Sequence, residues 1–205
     1  MRYYIADCHF FHEALNREMD HRGFASVEEM NEYMIKRWNE KVRNRDEVVI
    51  LGDLSMGNAE QTNALLDRLQ GKLFLIVGNH DNRYLRSKTF HKERFGWIYP
   101  YAELHDDGRK VVLSHYPIAC YNGQYLKNKK GEPRTYMLYG HVHDSHDERL
   151  IEQYQQMVEK TRIPDRDGGT QSLSSHMINC FCMYSDYQPL SLDEWIALTK
   201  QRLIR

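Results

Sequence analysis

The chain has 205 residues, of which 41% are hydrophobic, and a formal net charge of -1. That length suits one domain with a sizeable core, and the balanced charge excludes a global field that would gather nucleic acid or an acidic membrane. No apolar run is long enough to cross a membrane, and the N-terminus enters a strand pattern without a secretory leader, so a cytoplasmic protein is expected.

In chain order, a first strand is expected at residues 3–6. Ser26-x-x-Glu29 is a capping box opening a helix, with Met30, Met34 and Trp38 on one face. A strand at 47–51 contains Val48-Val49-Ile50-Leu51. Asn58-x-x-Gln61 opens a second helix, which turns Leu65, Leu66 and Leu69 inward and stops at Gly71. Strands follow at 72–77, 110–114 and 135–140, with an exposed loop at 127–134. Continuous apolar runs such as Leu73-Phe74-Leu75-Ile76-Val77 suit strands covered on both faces, as in layered α/β proteins. Ser145-x-x-Glu148 opens a helix whose apolar stripe is Leu150, Ile151, Tyr154, Met157 and Val158. That helix and a polar stretch separate residue 143 from a last strand at 176–183. Residues 144–175 are therefore expected to be an insertion at the site's edge. Ser191-x-x-Glu194 opens a C-terminal helix with Trp195, Ile196 and Thr199 on one side. The cysteines Cys8, Cys120, Cys180 and Cys182 read as reduced thiols, the last two on one strand.

Five short motifs end these strands: Asp7-Cys8-His9, Gly52-Asp53, Gly78-Asn79-His80-Asp81, Ser114-His115 and Gly140-His141-Val142-His143. Asp, Asn and His are ligands for borderline divalent metals. Each motif alone has a bland reading as a turn, a cap or a surface pair, so the weight lies in the conjunction. If the segments are extended, residues two apart point together, so Asp7 pairs with His9 and His141 with His143. The carboxyl ends of neighbouring strands then bring Asp53, Asn79 and His115 to the same crevice. Holding two cations about 3.5–4 Å apart calls for a bridging carboxylate, and Asp53 is the best candidate. His80 has a bland reading as a turn histidine. Its functional reading is a general acid or a stabiliser of phosphoryl oxygens, oriented by Asp81. His12 and Arg83 are weaker candidates for substrate contact, and Tyr116 and Asn122 could line the pocket, with core packing and a turn as their default readings. The chain lacks a nucleophile elbow, a zincin motif and a glycine-rich phosphate loop.

These blocks resemble the calcineurin-like metallophosphoesterase superfamily over nearly the whole length. Asp7-Cys-His-Phe-Phe-His12, Leu51-Gly-Asp-Leu and Tyr139-Gly-His-Val-His143 are similar to its small, capless bacterial and phage branch. The resemblance implies a four-layer α/β/β/α sandwich in a single domain over 1–205. It implies one metal held by Asp7, His9, Asp53 and His143, and a second held by Asp53, Asn79, His115 and His141. It assigns His80 to the leaving group or the phosphate. The mixed Asp/Asn/His shell suits manganese foremost, or iron, zinc or nickel. The expected function is a dinuclear metal-dependent phosphoester hydrolase, a phosphodiesterase or phosphatase, acting on small phosphorylated molecules or nucleotides. A nuclease on longer nucleic acid is not favoured, because a backbone track needs excess basic charge. A non-catalytic metal-binding scaffold is disfavoured by the intact ligand set. No oligomeric state is implied.

Overall fold

The computed structural model describes residues 1–165 and 167–203. Two sheets stack face to face. The first is all parallel, in the order β1 (Arg2–Ile5), β2 (Glu47–Ile50), β3 (Lys72–Ile76) and β4 (Phe95–Tyr99). The second comprises β5 (Tyr101–Asp106), β6 (Arg109–Ser114) and β7 (Thr135–Tyr139), together with β10 (Met177–Asn179). Its order is β10-β7-β6-β5, parallel except for the β5–β6 pair. Between β7 and β10 lie helix α4 (His146–Lys160) and a hairpin of β8 (Arg162–Pro164) and β9 (Thr170–Ser172).

Side-chain alternation sorts the layers. Tyr3, Ile5, Val48, Ile50, Leu73 and Leu75 point outward from the first sheet, against α1 (Val27–Lys41) and α2 (Ala59–Arg68). Tyr4, Val49, Leu51 and Ile76 point the other way and meet Val111, Leu113, Leu138 and Ile178 of the second sheet. Val112, Met137, Tyr139 and Met177 face outward again, where Ile151 and Tyr154 of α4 cover them. The result is a single-domain α/β/β/α sandwich. Both faces of each sheet are covered, which is why their strands read as continuous apolar runs. Helix α5 (Leu192–Leu203) closes the margin of the sandwich, with its buried Trp195 donating Nε1–H to the Tyr4 carbonyl at 2.9 Å.

Segment 144–175 thus carries the helix of the fourth layer. Of its expected apolar stripe, Val158 is buried and Ile151 and Tyr154 are packed, but Leu150 and Met157 are exposed. Glu148 does not complete a capping box. It is buried and accepts the Tyr139 hydroxyl at 2.8 Å, while Ser145 caps the helix alone by accepting from Asp147 N–H.

Sequence reasoning misses strands β4 and β5, although β4 is apolar at Phe95, Trp97, Ile98 and Tyr99. β5 is an edge strand with alternating exposure, and β4 carries Gly96. The strand expected at 176–183 ends at Asn179. The chain then crosses to the first sheet: Ala6 N–H donates to the Cys180 carbonyl, and Cys182 N–H donates to the Ala6 carbonyl. Cys182 sits in a 3-10 turn, so it does not share a strand with Cys180. All four cysteines are free. Among the described residues, no helix is long and apolar enough to cross a membrane.

Candidate metal centre

The five motifs follow β1, β2, β3, β6 and β7, and all lie at the same end of the sandwich. This is the end where open α/β sheets carry their sites. Their backbone is not extended. Asp7, His9, Asp53, His141 and His143 have φ of 56°, 49°, 53°, 72° and 50°, in the left-handed region. Such residues cost of order 1–3 kcal/mol each unless their surroundings hold them. Here the holding groups are visible. Buried Arg22 donates Nη1–H to the Cys8 carbonyl at 2.7 Å and Nη2–H to the Asp7 carbonyl at 3.1 Å. Asp7 N–H donates to the Gly52 carbonyl at 3.1 Å, and His9 N–H to the Asp53 carbonyl at 2.9 Å. Asn179 donates Nδ2–H to the His143 carbonyl at 2.9 Å. The intervening Cys8 and Val142 turn away into separate cores, so the two half-clamps form by left-handed turns and not by alternation along a strand.

Glycine is required where these loops touch. A Cβ on Gly52 would strike the His115 ring, and one on Gly78 would strike the Asp53 carboxylate.

The polar atoms converge closely. His9 Nε2 and His143 Nε2 lie 3.2 Å apart. Asn79 Oδ1 lies 3.0 Å from both His115 Nε2 and His141 Nδ1. Asp53 Oδ2 is 3.5 Å from His9 Nε2 and 3.5 Å from His115 Nε2. Asp7 sits at the base, 3.8 Å from His143 Nε2, with both its oxygens accepting His141 N–H at 3.0 Å. Asp7, His9 and His143 form one group of converging ligand atoms, and Asp7, Asp53 and His115 another.

Burial sets the charge state of this cluster. It pushes Asp7 well above the usual carboxylate range, with the Asp53 carboxylate adding to the effect. Asp53 is raised by burial too. Burial also lowers His9, further depressed by His143, and lowers His115 and His141. Two buried carboxylates therefore face the imidazoles of His9, His115 and His141, whose charged form burial disfavours, and an amide oxygen, while the adjacent Arg22 is spent on backbone carbonyls and Asp20. Lone pairs converge here with no lysine or arginine among the described wall residues, so the charged form of the buried carboxylates calls for a cation, as in the donor set of a divalent-metal site.

His80 lies beside this cluster with its side chain 43% exposed and Nε2 4.0 Å from Asp53 Oδ2. Its backbone N–H donates to Asp53 Oδ1 at 2.9 Å. Asp81 does not orient it. The Asp81 carboxylate is buried and accepts from Asp53 N–H (2.9 Å), Leu54 N–H (3.0 Å), Gly78 N–H (2.7 Å) and the Tyr84 hydroxyl (2.6 Å). It staples the loop after β2 to the loop after β3, and no catalytic contact is left to it.

A cavity of ≈320 Å³ opens over the cluster, and His12, Leu15, Met19, Asp144 and Asp147 form part of its wall. His12 thus faces the cleft, its ring edge-on to His9 at 5.7 Å. Arg83 does not: it is exposed on the short helix α3 (Asn82–Leu85), and no lysine or arginine is among the described residues of the wall. Tyr116 lies edge-on to His141 at 4.5 Å, while Asn122 donates to Glu103 and takes no part. Sequence reasoning missed Asp20 and Arg22. Asp20 Oδ1 lies 2.8 Å from His143 Nδ1, and its other oxygen accepts from Arg22.

Over residues 3–189 the chain matches the family described as calcineurin-like phosphoesterase. The chain belongs to the calcineurin-like phosphoesterase family. A protein of Methanocaldococcus jannaschii named "Uncharacterized protein MJ1445" is 31% identical, over 97% of this chain and 91% of the relative. The "Gene 66 protein" of Mycobacterium phage L5 is 28% identical, over 69% of this chain and 76% of its own. A crystal structure titled as a protein of unknown function, AQ665 from Aquifex aeolicus, has a TM-score of 0.66 at 23% identity. It covers 97% of this chain and 98% of that one, and supports the fold. Family membership makes this chain a metallophosphoesterase in general class, and its strand-end residues form candidate metal-ligand groups.

Proposed function

We propose that this phosphoesterase hydrolyses small phosphorylated molecules, as a phosphodiesterase or phosphatase, at a centre of two divalent metals. The observation that carries the reading is the convergence of Asp7, His9, Asp53, Asn79, His115, His141 and His143 on one crevice, with two buried carboxylates and no lysine or arginine among the described residues of its wall. Asp7, His9, Asp53 and His143 would hold one metal, and Asp53, Asn79, His115 and His141 the other. The equal 3.5 Å separations of Asp53 Oδ2 from His9 and His115 support a bridging role. When bound, such metals polarise a phosphoryl oxygen and bring the pKa of a coordinated water towards ~7.

The chain's own groups do the rest. His80 stands half-exposed at the cleft, where its imidazole can hydrogen-bond a phosphoryl oxygen or pass a proton to the departing oxygen. Asp81 locks the two loops so that Asp53 and His80 keep their spacing. No serine or cysteine nucleophile is needed.

The lack of lysine and arginine among the described wall residues, with the net charge of -1, favours a compact substrate over a nucleic-acid backbone. The mixed nitrogen and oxygen donors favour manganese, or iron, zinc or nickel. Four free thiols suit a cytoplasmic setting.

The test is hydrolysis of bis-p-nitrophenyl phosphate and p-nitrophenyl phosphate by protein reconstituted with Mn2+. Turnover that a chelator abolishes and Mn2+ restores is expected. A protein that holds two Mn2+ per chain and hydrolyses no phosphoester would overturn the catalytic reading and leave a scaffold.

A further inference from the structure

We infer that Asp20, backed by Arg22, is the positioning residue that fixes the ring of His143 for metal binding. The inference rests on the metal-centre reading above and adds a residue that the five strand-end motifs do not contain.

Asp20 ends a π-helical turn, Leu15–Met19, 123 residues away from His143. Its carboxylate divides its work. Oδ2 accepts from Arg22 Nε at 3.0 Å and Nη2 at 2.9 Å. Oδ1 is left free of Arg22 and lies 2.8 Å from His143 Nδ1. A plain Asp–Arg pair would need no imidazole on its second oxygen. The carboxylate has only acceptor sites, so the proton of this bond belongs to His143 Nδ1. That leaves the lone pair of the ring on Nε2, which points at His9 Nε2 (3.2 Å) and Asp7 Oδ1 (3.8 Å).

One further contact holds the ring and another its backbone. Phe181 stacks on it at 4.7 Å with an interplanar angle of 22°. The His143 carbonyl is tied to Asn179. Stacking on Phe181 fixes the plane of the ring, and the Asp20 bond fixes which ring nitrogen faces the other ligand atoms.

Arg22 explains why this carboxylate orients a ligand and does not compete to be one. It is buried, and its guanidinium joins Asp20 to the carbonyls of Asp7 and Cys8. One arginine thus fixes the left-handed Asp7–His9 turn and anchors the group that aims His143. A carboxylate behind a ligating imidazole selects the tautomer and raises its basicity, and removing such partners typically costs roughly 10–100-fold in metal affinity.

The test compares wild type with Asp20→Ala and Asp20→Asn by Mn2+ titration calorimetry. Wild type is expected to take two Mn2+ per chain. Asp20→Ala should keep one site and weaken the other by roughly 10–100-fold. Asp20→Asn, whose amide oxygen can still accept from Nδ1–H, should lose less. Long-range 1H–15N correlation spectra of metal-free wild type should show His143 protonated at Nδ1, and this reading needs no variant to fold. A wild-type His143 protonated at Nε2 would overturn the inference. So would a natively folded Asp20→Ala that binds both Mn2+ with wild-type affinity. Wild type that takes up no Mn2+ would instead remove the metal-centre reading and this assignment together.

Discussion

Asp53 and His80 are joined through one bond, from the His80 backbone N–H to Asp53 Oδ1, but their side chains carry different work. Asp53→Asn is expected to release both metals, because its carboxylate lies 3.5 Å from one imidazole of each proposed half. Elemental analysis after dialysis checks this: two metals retained at wild-type affinity would refute a bridging Asp53. His80→Ala keeps the main-chain bond and should keep both metals. Turnover should fall ~10²–10⁴-fold, the usual contribution of a general acid. The loss should be larger for an alkoxide leaving group than for a nitrophenolate, which needs no proton. Equal losses for the two would exclude the acid role and leave an electrostatic one. Asp81 differs from both. Burial raises its pKa, and the Tyr84 hydroxyl and backbone N–H groups work against that rise. It acts as the knot between two loops.

At the scale of elements, α4 performs two tasks along its length. Its start, at Ser145 and Asp147, lines the cleft directly after the candidate ligand His143. Its middle covers the outer face of the second sheet through Ile151 and Tyr154, and Val158 near its end is buried. The helix is thereby structural along most of its length, and any influence on substrate choice should come from its first turn. Val158→Ala should destabilise by about 1–3 kcal/mol through the space left in a packed layer. Leu150→Ala, at a position 47% exposed, should stay within about 0.5 kcal/mol of wild type. Urea unfolding of the two variants decides this, and equal losses would mean that α4 packs on a different face. Shortening α4 to probe substrate preference would uncover Val112, Met137 and Tyr139, so point changes at Asp144 and Asp147 are the cleaner probe.

For the whole molecule, burial of one histidine outside the centre predicts a pH response. His176 precedes β10 and lines a cavity of ≈560 Å³ between α4 and α5. Its Nε2 has no partner among the described residues. Burial lowers its pKa to about 4, helped by Lys127 and Lys200. The unfolded chain takes up this proton near pH 6.5, before the folded protein does, so the native state loses stability as pH falls from 6.5 towards 4 and is unaffected above that window. A shift of that size is worth about 3 kcal/mol in full, which the ring's partial exposure cuts to about 1–2. His176→Gln should flatten this part of the stability–pH curve relative to wild type. Identical slopes between pH 4 and 6.5 would show that the ring charges as readily folded as unfolded.

The sequence by itself determined the layered α/β class and the identities of the candidate ligands, because both are local. Apolar runs such as Val48-Val49-Ile50-Leu51 record strands buried on two faces. A histidine or aspartate after such a run lies at a strand's carboxyl end wherever the strand packs. Only the tertiary structure decided how those residues are aimed. Asp7 and His9 converge through left-handed turns that Arg22 stabilises from outside the motif, and no spacing rule contains that contact. Asp81 looked like a partner for the adjacent His80, but the folded loop turns it towards the backbone N–H groups of Asp53 and Leu54 on another segment and of Gly78 in its own loop. Asp20 meets His143 across 123 residues, a pairing that no local pattern encodes. Helix α4 was legible as a helix, but its layer was not, since its apolar face is shared between packed and exposed positions. Residue chemistry and strand position are written locally. Orientation, burial and charge state arise when distant segments close on one another, and in this protein the candidate metal centre lies at that closure.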